Sequence, residues 1–146
     1  MRAPFQVLVI PFRRKADCLQ YCLLRRSDAG YWQFVAGGGD DAETPVEAAG
    51  RETREEIGIT GEMIPLDSMC MVSRECFAGN AAWGPDVFVI PEHCFAVDAG
   101  REKIRLSAEH SSFQWLAYPE AAALLKWDSN RTALWELNKR LTKKGG

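Results

Sequence analysis

The sequence predicts a single α/β domain over residues 1–146, with a mixed β-sheet held between helices. Two observations lead there: strand-like runs lie on both sides of one strongly marked helix, and the chain closes on a further amphipathic helix. A third sets the scale. A chain of 146 residues, 47% of them hydrophobic, suits one compact core and leaves no room for a second domain. No internal repeat or low-complexity linker interrupts the pattern.

The elements follow in order. Gln6 to Phe12 reads as a strand rich in Val, Leu and Ile, and Leu19 to Arg25 as a second, separated by the polar turn Arg13–Asp17. Trp32 to Val35 is a short third strand that enters a glycine loop at Gly37. A helix is predicted from Pro45 to Ile57. Beyond it, Glu62 to Phe77 and Asp86 to Val97 carry strand-like stretches, with a turn over Gly79–Pro85 and a loop around Asp98–Glu102. Ser112 to Leu116 is a last strand. Tyr118 and Pro119 open a short helix through Lys126, and Asp128 or Ser129 caps a final helix that ends near a flexible tail, Lys143 to Gly146.

The central helix has its own start and stop signals. Thr44 is the N-cap, Pro45 occupies the first helical position where its missing N–H costs nothing, Glu47 closes a capping box, and Gly58 suits the stop. At about 100° per residue, Glu52, Glu55 and Glu56 fall within an arc of roughly 100°. Val46, Ala49, Gly50, Thr53 and Ile57 gather on a neighbouring arc and are expected to face the core. Thr53 sits awkwardly there, although its hydroxyl can bond back to the Ala49 carbonyl.

Like charges one turn apart destabilise a helix by about 0.2–0.5 kcal/mol per pair, so three clustered carboxylates need solvation or a cation. The plain reading is a solvated face paired with Arg51 and Arg54. The spacing around it says more: Gly37, Glu43, Arg51, Glu52, Glu55, Glu56, Gly58 and Ile59 form G-x5-E-x7-R-E-x-x-E-E-x-G-[aliphatic]. Seven fixed residues at roughly 7% usage each match by chance about once in 10^8 starting positions. Hard carboxylate oxygens suit Mg2+, or Mn2+, completed by water and substrate phosphates. Arg51, one turn from both Glu47 and Glu55, reads as an orienting partner for carboxylates. The run Gly37-Gly38-Gly39 lets backbone approach a diphosphate or fold tightly under the helix.

This stretch resembles the Nudix box, the signature of hydrolases that cleave nucleoside diphosphates linked to another group. The resemblance implies an α/β/α sandwich with a mixed sheet and a catalytic loop-helix-loop. Two residues depart from the usual box: Thr53 replaces an aliphatic residue, and Ala42 stands where many relatives have glycine. Outside the box, Leu23-Leu24-Arg25-Arg26 with Tyr31-Trp32-Gln33, Glu109-His110 ahead of Trp115-Leu116, and Ala121–Leu124 followed by Ser129-Asn130-Arg131 resemble the bacterial dihydroneopterin triphosphate pyrophosphatases, which also hydrolyse dATP-like nucleotides. The segment from Met63 to Gly100 matches poorly.

Carried over residue by residue, the resemblance implies metal ligands at Glu52, Glu55, Glu56 and Glu109. Glu55, Glu56 and Glu109 are candidates for the general base, and Arg51 supports them. Arg25, Gly37, Gly38 and Trp127 are the substrate-binding candidates, with Trp32 and Trp83 as further stacking surfaces. His110 reads as structural. The implied reaction splits a (deoxy)nucleoside triphosphate or dihydroneopterin triphosphate into monophosphate and pyrophosphate. A nucleotide sugar, a dinucleoside polyphosphate or an oxidised nucleotide is the alternative substrate, and a nucleotide-binding domain without catalysis the remaining reading.

Composition narrows the setting. A net charge of −2 argues against a general nucleic-acid or membrane surface. No apolar stretch reaches the ~18 residues of a membrane helix, and VLVIPF lacks the flanks of a signal peptide. Five cysteines without a C-x-x-C pair are expected to be reduced thiols in a cytoplasmic protein, with Cys18 and Cys22 as small core residues on one strand face. No feature of the sequence specifies an oligomeric state.

Overall fold

The computed structural model describes residues 1–143; of the expected tail, residues 144–146 lie outside the described residues. Seven strands form one mixed sheet: β1 (Arg2–Lys15), β2 (Cys18–Arg26), β3 (Trp32–Gln33), β4 (Val35–Asp40), β5 (Ile64–Ser73), β6 (Val89–Asp98) and β7 (His110–Leu116). The main path runs β3-β2-β1-β6-β5, with β4 on β1 and β7 on β2. Only the β1–β6 pairing is parallel; the others are antiparallel.

Strand β1 is the hub. It pairs with β4 over Arg2–Val9, with β2 over Phe12–Lys15, and with β6 over Gln6–Phe12. Its apolar run Val7–Ile10 is buried at every position because helices cover both faces. Val7 and Val9 pack toward α1 (Pro45–Ile57), whereas Leu8 and Ile10 pack toward α2 (Tyr118–Leu124) and α3 (Asp128–Thr142). The alternation of side chains along a strand thus divides two cores between two helix layers, the α/β/α sandwich that the sequence implied.

Helix α1 spans Pro45–Ile57 as predicted, with both arms of the Thr44/Glu47 capping box formed and Gly58 left-handed at φ 72°. Its buried face differs from the expected one. Ala48, Ala49, Thr53, Glu56 and Ile57 are buried, while Val46 is 47% exposed and Gly50 half-buried. Val46 lies in the first turn. Thr53 makes the bond expected of it, donating to the Ala49 carbonyl at 2.7 Å.

Four further expectations are corrected. The glycine run is not a loop but strand β4, paired with Val7 and Gln6 of β1 through Gly37 and Gly38. Residues 13–15 extend β1, so the first turn is only Ala16-Asp17, both at positive φ. Neither Asp128 nor Ser129 caps α3: Trp127 holds the N-cap position without a side-chain bond, and Asp128 pairs instead with Arg131. Cys22 and Cys94 are core residues, but Cys18, at the exposed start of β2, is not.

Asn130 locks α3 to the sheet. It is buried, and its Oδ1 accepts from the Phe34 N–H at 3.1 Å, the residue between β3 and β4. On the other side, the Glu136 carboxylate accepts from the Asp67 and Ser68 N–H groups in the irregular stretch of β5. Replacing Asn130 with Ala strands a buried N–H. Urea unfolding should therefore show a loss of about 1–3 kcal/mol; a loss below about 0.5 kcal/mol would mean that the bond does not anchor the helix.

Candidate active site

Helix α1 presents its carboxylates through a guanidinium. Arg51 donates Nε and Nη2 to the two oxygens of Glu43 at 2.8 and 2.9 Å, Nη2 also to the Gly38 carbonyl at 2.9 Å, and Nη1 to Glu52 and Glu55 at 3.0 and 3.2 Å. One side chain thereby ties the loop before α1, strand β4 and the helix itself. The fork geometry of arginine makes this possible where lysine offers only a point charge. Glu43, so paired and bonded to the Asp40 N–H, is held down at about 2.

Glu52 lies directly on strand β4. A β-carbon at Gly37 would overlap its carboxyl, one at Gly38 would overlap the Arg2 guanidinium, and one at Gly39 the Phe5 ring. Glycines here serve close packing on both faces of the strand, the second of the two roles expected of them.

Glu56 is the unusual group. It is 1% exposed, and neither carboxyl oxygen has a hydrogen-bond partner among the described residues. Burial, the abutting Glu52 carboxyl and then Glu109 push its pKa up to about 10. Burial raises Glu52 as well, against the pull of Arg51.

Glu109 and His110 come from the other end of the chain. The loop after β6 is pinned to the end of α1 by bonds from the Arg105 N–H to the Ile57 carbonyl and from the Ser107 N–H to the Glu56 carbonyl. Its far end is fastened just past the end of β2 by the Ser27 N–H on the Glu109 carbonyl. Ligand atoms of Glu56, Glu109 and His110 consequently lie within 4.8 Å of one another. His110 is buried, with Nδ1 3.7 Å from Glu56 Oε1 and both ring nitrogens without a hydrogen-bond partner among the described residues; burial lowers its pKa and favours the neutral ring. Partnerless buried carboxyl oxygens beside further oxygen donors fit a hard divalent cation. Glu55 stands apart, its side chain 59% exposed on the Arg51 side.

The other predicted residues lie on β2 and around α3. Arg25 is exposed at the end of β2 and bonds the Gly30 carbonyl at 3.0 Å. Trp127 is 44% exposed and meets Tyr31 edge to face at 5.4 Å. Trp32 packs on the core beneath α3. Sequence reasoning missed Arg2 and left the 73–85 segment unmapped. That segment folds back so that the Phe77 and Trp83 rings meet tilted, 6.2 Å apart, with the Arg2 guanidinium 5.0 and 5.8 Å from them. Trp83 Nε1 donates to the Arg2 carbonyl at 2.8 Å, and Arg2 donates to Gln6 at 2.6 Å. No local pattern near Met1 announces such a contact; only β1 pairing brings Arg2 over Gly38.

The chain belongs to the Nudix family, whose domain model matches residues 3–136. It is a hydrolase of that family. Over 137 residues it is 33% identical to the dihydroneopterin triphosphate diphosphatase of Escherichia coli K12, covering 91% of each chain. It is 31% identical over 137 residues to the asymmetrical bis(5'-nucleosyl)-tetraphosphatase of Rattus norvegicus, covering 88% of each. A structure from Listeria monocytogenes described as a Nudix hydrolase superposes with a TM-score of 0.86 at 45% identity, covering 95% of this chain and 94% of that one.

The raised Glu56 pKa carries a sign that thermal unfolding can read. Between the ordinary 4.5 and about 10, the folded state binds the proton that the unfolded state has released; metal-free stability therefore falls as pH rises through that window. Glu43, held low, acts only below it. Chelator-treated protein should lose at least about 3 °C in Tm between pH 5 and pH 9, with the loss offset by Mg2+ and clearly smaller in Glu56→Gln. A flat profile in the wild type would contradict the buried, uncompensated carboxyl.

Proposed function

We propose that this chain is a Mg2+-dependent pyrophosphohydrolase that splits dihydroneopterin triphosphate or a (deoxy)nucleoside triphosphate into the monophosphate and pyrophosphate. The observation that carries the reading is the buried Glu56 carboxyl with both oxygens free, beside Glu52 and Glu109. The E. coli relative's name supports the substrate class. In this proposal Glu52, Glu55, Glu56 and Glu109 hold Mg2+ or Mn2+, which when bound would neutralise phosphate charge and lower the pKa of the attacking water.

The protein's own groups do the rest. Arg51 fixes the directions of Glu52 and Glu55 against β4. The backbone of Gly37 and Gly38 receives the diphosphate, and Arg25 and Trp127 contact the remainder of the substrate. One of Glu55, Glu56 and Glu109 takes the proton as water adds to phosphorus and the bridging P–O bond breaks, releasing pyrophosphate. The ligand set is small molecules, not nucleic acid or membrane. Among the described residues no helix is long and apolar enough to cross a membrane. The five free cysteines support a cytoplasmic setting.

A second substrate class is favoured by one finding, the 31% identity to the rat tetraphosphatase: a dinucleoside polyphosphate. A panel of dihydroneopterin triphosphate, dATP, dGTP, a bis(5'-nucleosyl) tetraphosphate, a nucleotide sugar and 8-oxo-dGTP, incubated with Mg2+ and read by mass spectrometry of products, separates the classes. Pyrophosphate release from the simple triphosphates is expected. Dominant cleavage of the tetraphosphate or nucleotide sugar overturns the preferred class, and tight binding without any product returns the domain to a non-catalytic role.

Two substitutions test the machinery. Glu56→Gln should retain less than about a tenth of wild-type turnover at saturating Mg2+, since loss of a ligand or of its support typically costs tenfold or more. Gly37→Ala should impair turnover comparably while leaving the fold intact, because its methyl group must displace the Glu52 carboxyl. Near-wild-type rates in either variant would remove these residues from the site.

A further inference from the structure

Arg2 carries a charge that the protein's own carboxylates leave unmet. Arg26, Arg51, Arg131 and Arg140 each form an ion pair, whereas Arg2 forms none with a described residue. Its guanidinium lies against Gly38, where a β-carbon would overlap Nη1. Nη2 donates to the Gln6 side chain, Nε is buried with no hydrogen-bond partner among the described residues, and Nη1 makes no hydrogen bond to them. The residue is half-buried and keeps part of its surface open. Burial lowers its pKa, while the charge of Glu52 acts the other way, which puts the guanidinium within electrostatic reach of the box. A cation partly stripped of water and without a counter-ion is costly unless an anion arrives.

The 74–88 segment holds that charge without neutralising it. Phe77 and Trp83 meet the guanidinium with their rings, whose quadrupoles attract a cation, and Trp83 Nε1 fastens the Arg2 backbone. Arg74 in turn fixes the segment, donating to the carbonyls of Asn80, Gly84 and Val87, and Asn80 donates to the Phe77 carbonyl. A carboxylate in the place of the rings would orient the arginine and cancel its charge. Aromatic faces orient it and leave the charge for an external anion.

Strand geometry sets where that anion can lie. Successive side-chain positions leave a strand on opposite faces: a β-carbon at Gly37 meets the Glu52 carboxyl, and one at Gly38 meets Arg2. Only bare glycine backbone separates the two. Strand β4 pairs with β1 alone, so no strand among the described residues covers its other edge. We propose that Arg2 is a phosphate-binding residue that meets a polyphosphate at Gly37 and Gly38 from the face of β4 opposite the α1 carboxylates, with Phe77 and Trp83 as its positioning residues. The inference rests on the proposed triphosphate reading and adds to it a cation for the phosphates. Arg51 cannot serve that purpose, because its donors are taken by Glu43, Glu52, Glu55 and the Gly38 carbonyl. A guanidinium with Nη1 unused suits the non-bridging oxygens of a phosphate.

The probes are inorganic tripolyphosphate and Mg2+, titrated calorimetrically into wild type and Arg2→Gln. With Mg2+ present, tripolyphosphate should bind wild type, and its binding should weaken at least about tenfold in Arg2→Gln. Mg2+ alone should bind the variant as tightly as wild type or more tightly, since a nearby positive charge has gone. That pair of signs separates a phosphate contact from structural support. Parallel weakening of both ligands makes Arg2 a prop for the box and overturns the inference, as does tripolyphosphate binding that is absent from wild type or unchanged in the variant. Trp83→Leu should weaken tripolyphosphate binding about threefold or more with Mg2+ binding kept, and should add nothing once Arg2 is glutamine; a further loss in the double variant overturns the positioning role. If no triphosphate yields pyrophosphate, the proposed reaction fails, and the tripolyphosphate arm still decides Arg2 by itself. Should Arg2→Gln not fold, Trp83→Leu decides alone, and unchanged tripolyphosphate binding there overturns the assignment.

Discussion

Burying the Glu56 carboxyl with neither oxygen hydrogen-bonded is a cost of several kcal/mol that a proton or a cation must offset. Much of the surrounding architecture keeps that carboxyl where it is. Thr44 and Glu47 set where α1 begins, Gly58 ends it, and the interval places Glu56 against the sheet beside Ile57. A side chain one position earlier or later on the helix would point about 100° away. Its neutral histidine neighbour and its abutting glutamate offer no charge compensation. The site is thus assembled with a deficit that a divalent cation suits.

Elements distant in the chain converge on that deficit by backbone pairing. The 98–109 loop is fastened to the last turn of α1 at one end and just past the end of β2 at the other, so Glu109 cannot drift from Glu56 without breaking both. Arg51 performs the matching task at the opposite edge, joining Glu43, β4 and two helix carboxylates. Such preorganisation keeps these carboxylates in place before any ligand arrives.

Strand β1 separates two kinds of chemistry. Toward α1 its neighbours are the α1 carboxylates over bare glycine; toward α3 lie Arg2, Gln6 and, one strand further, Glu92. The 73–85 segment closes over Arg2 with Phe77 and Trp83, which explains why this stretch carries aromatic residues without any helical or strand periodicity.

What the sequence determined by itself was local. The capping box, the left-handed Gly58, the bounds of α1 and the back-bond of Thr53 depend on neighbours within a turn or two, and each is found where the residues placed it. The mixed sheet between helices was also legible from strand runs on both sides of that helix, and the α/β/α sandwich from the resemblance that the box carries. Tertiary structure decided the rest. Val46 is exposed because helix amphipathicity says which residues share an arc, not how far along the helix the sheet extends. The glycine run became a strand because β1 supplied a partner, and the start of α3 lacks a side-chain cap because Trp127 and Asp128 found other neighbours in Tyr31 and Arg131. Arg2, Phe77, Trp83 and Glu92 carried no motif. Their placement follows from strand register and chain return, which couple residues many positions apart and leave no trace in local spacing.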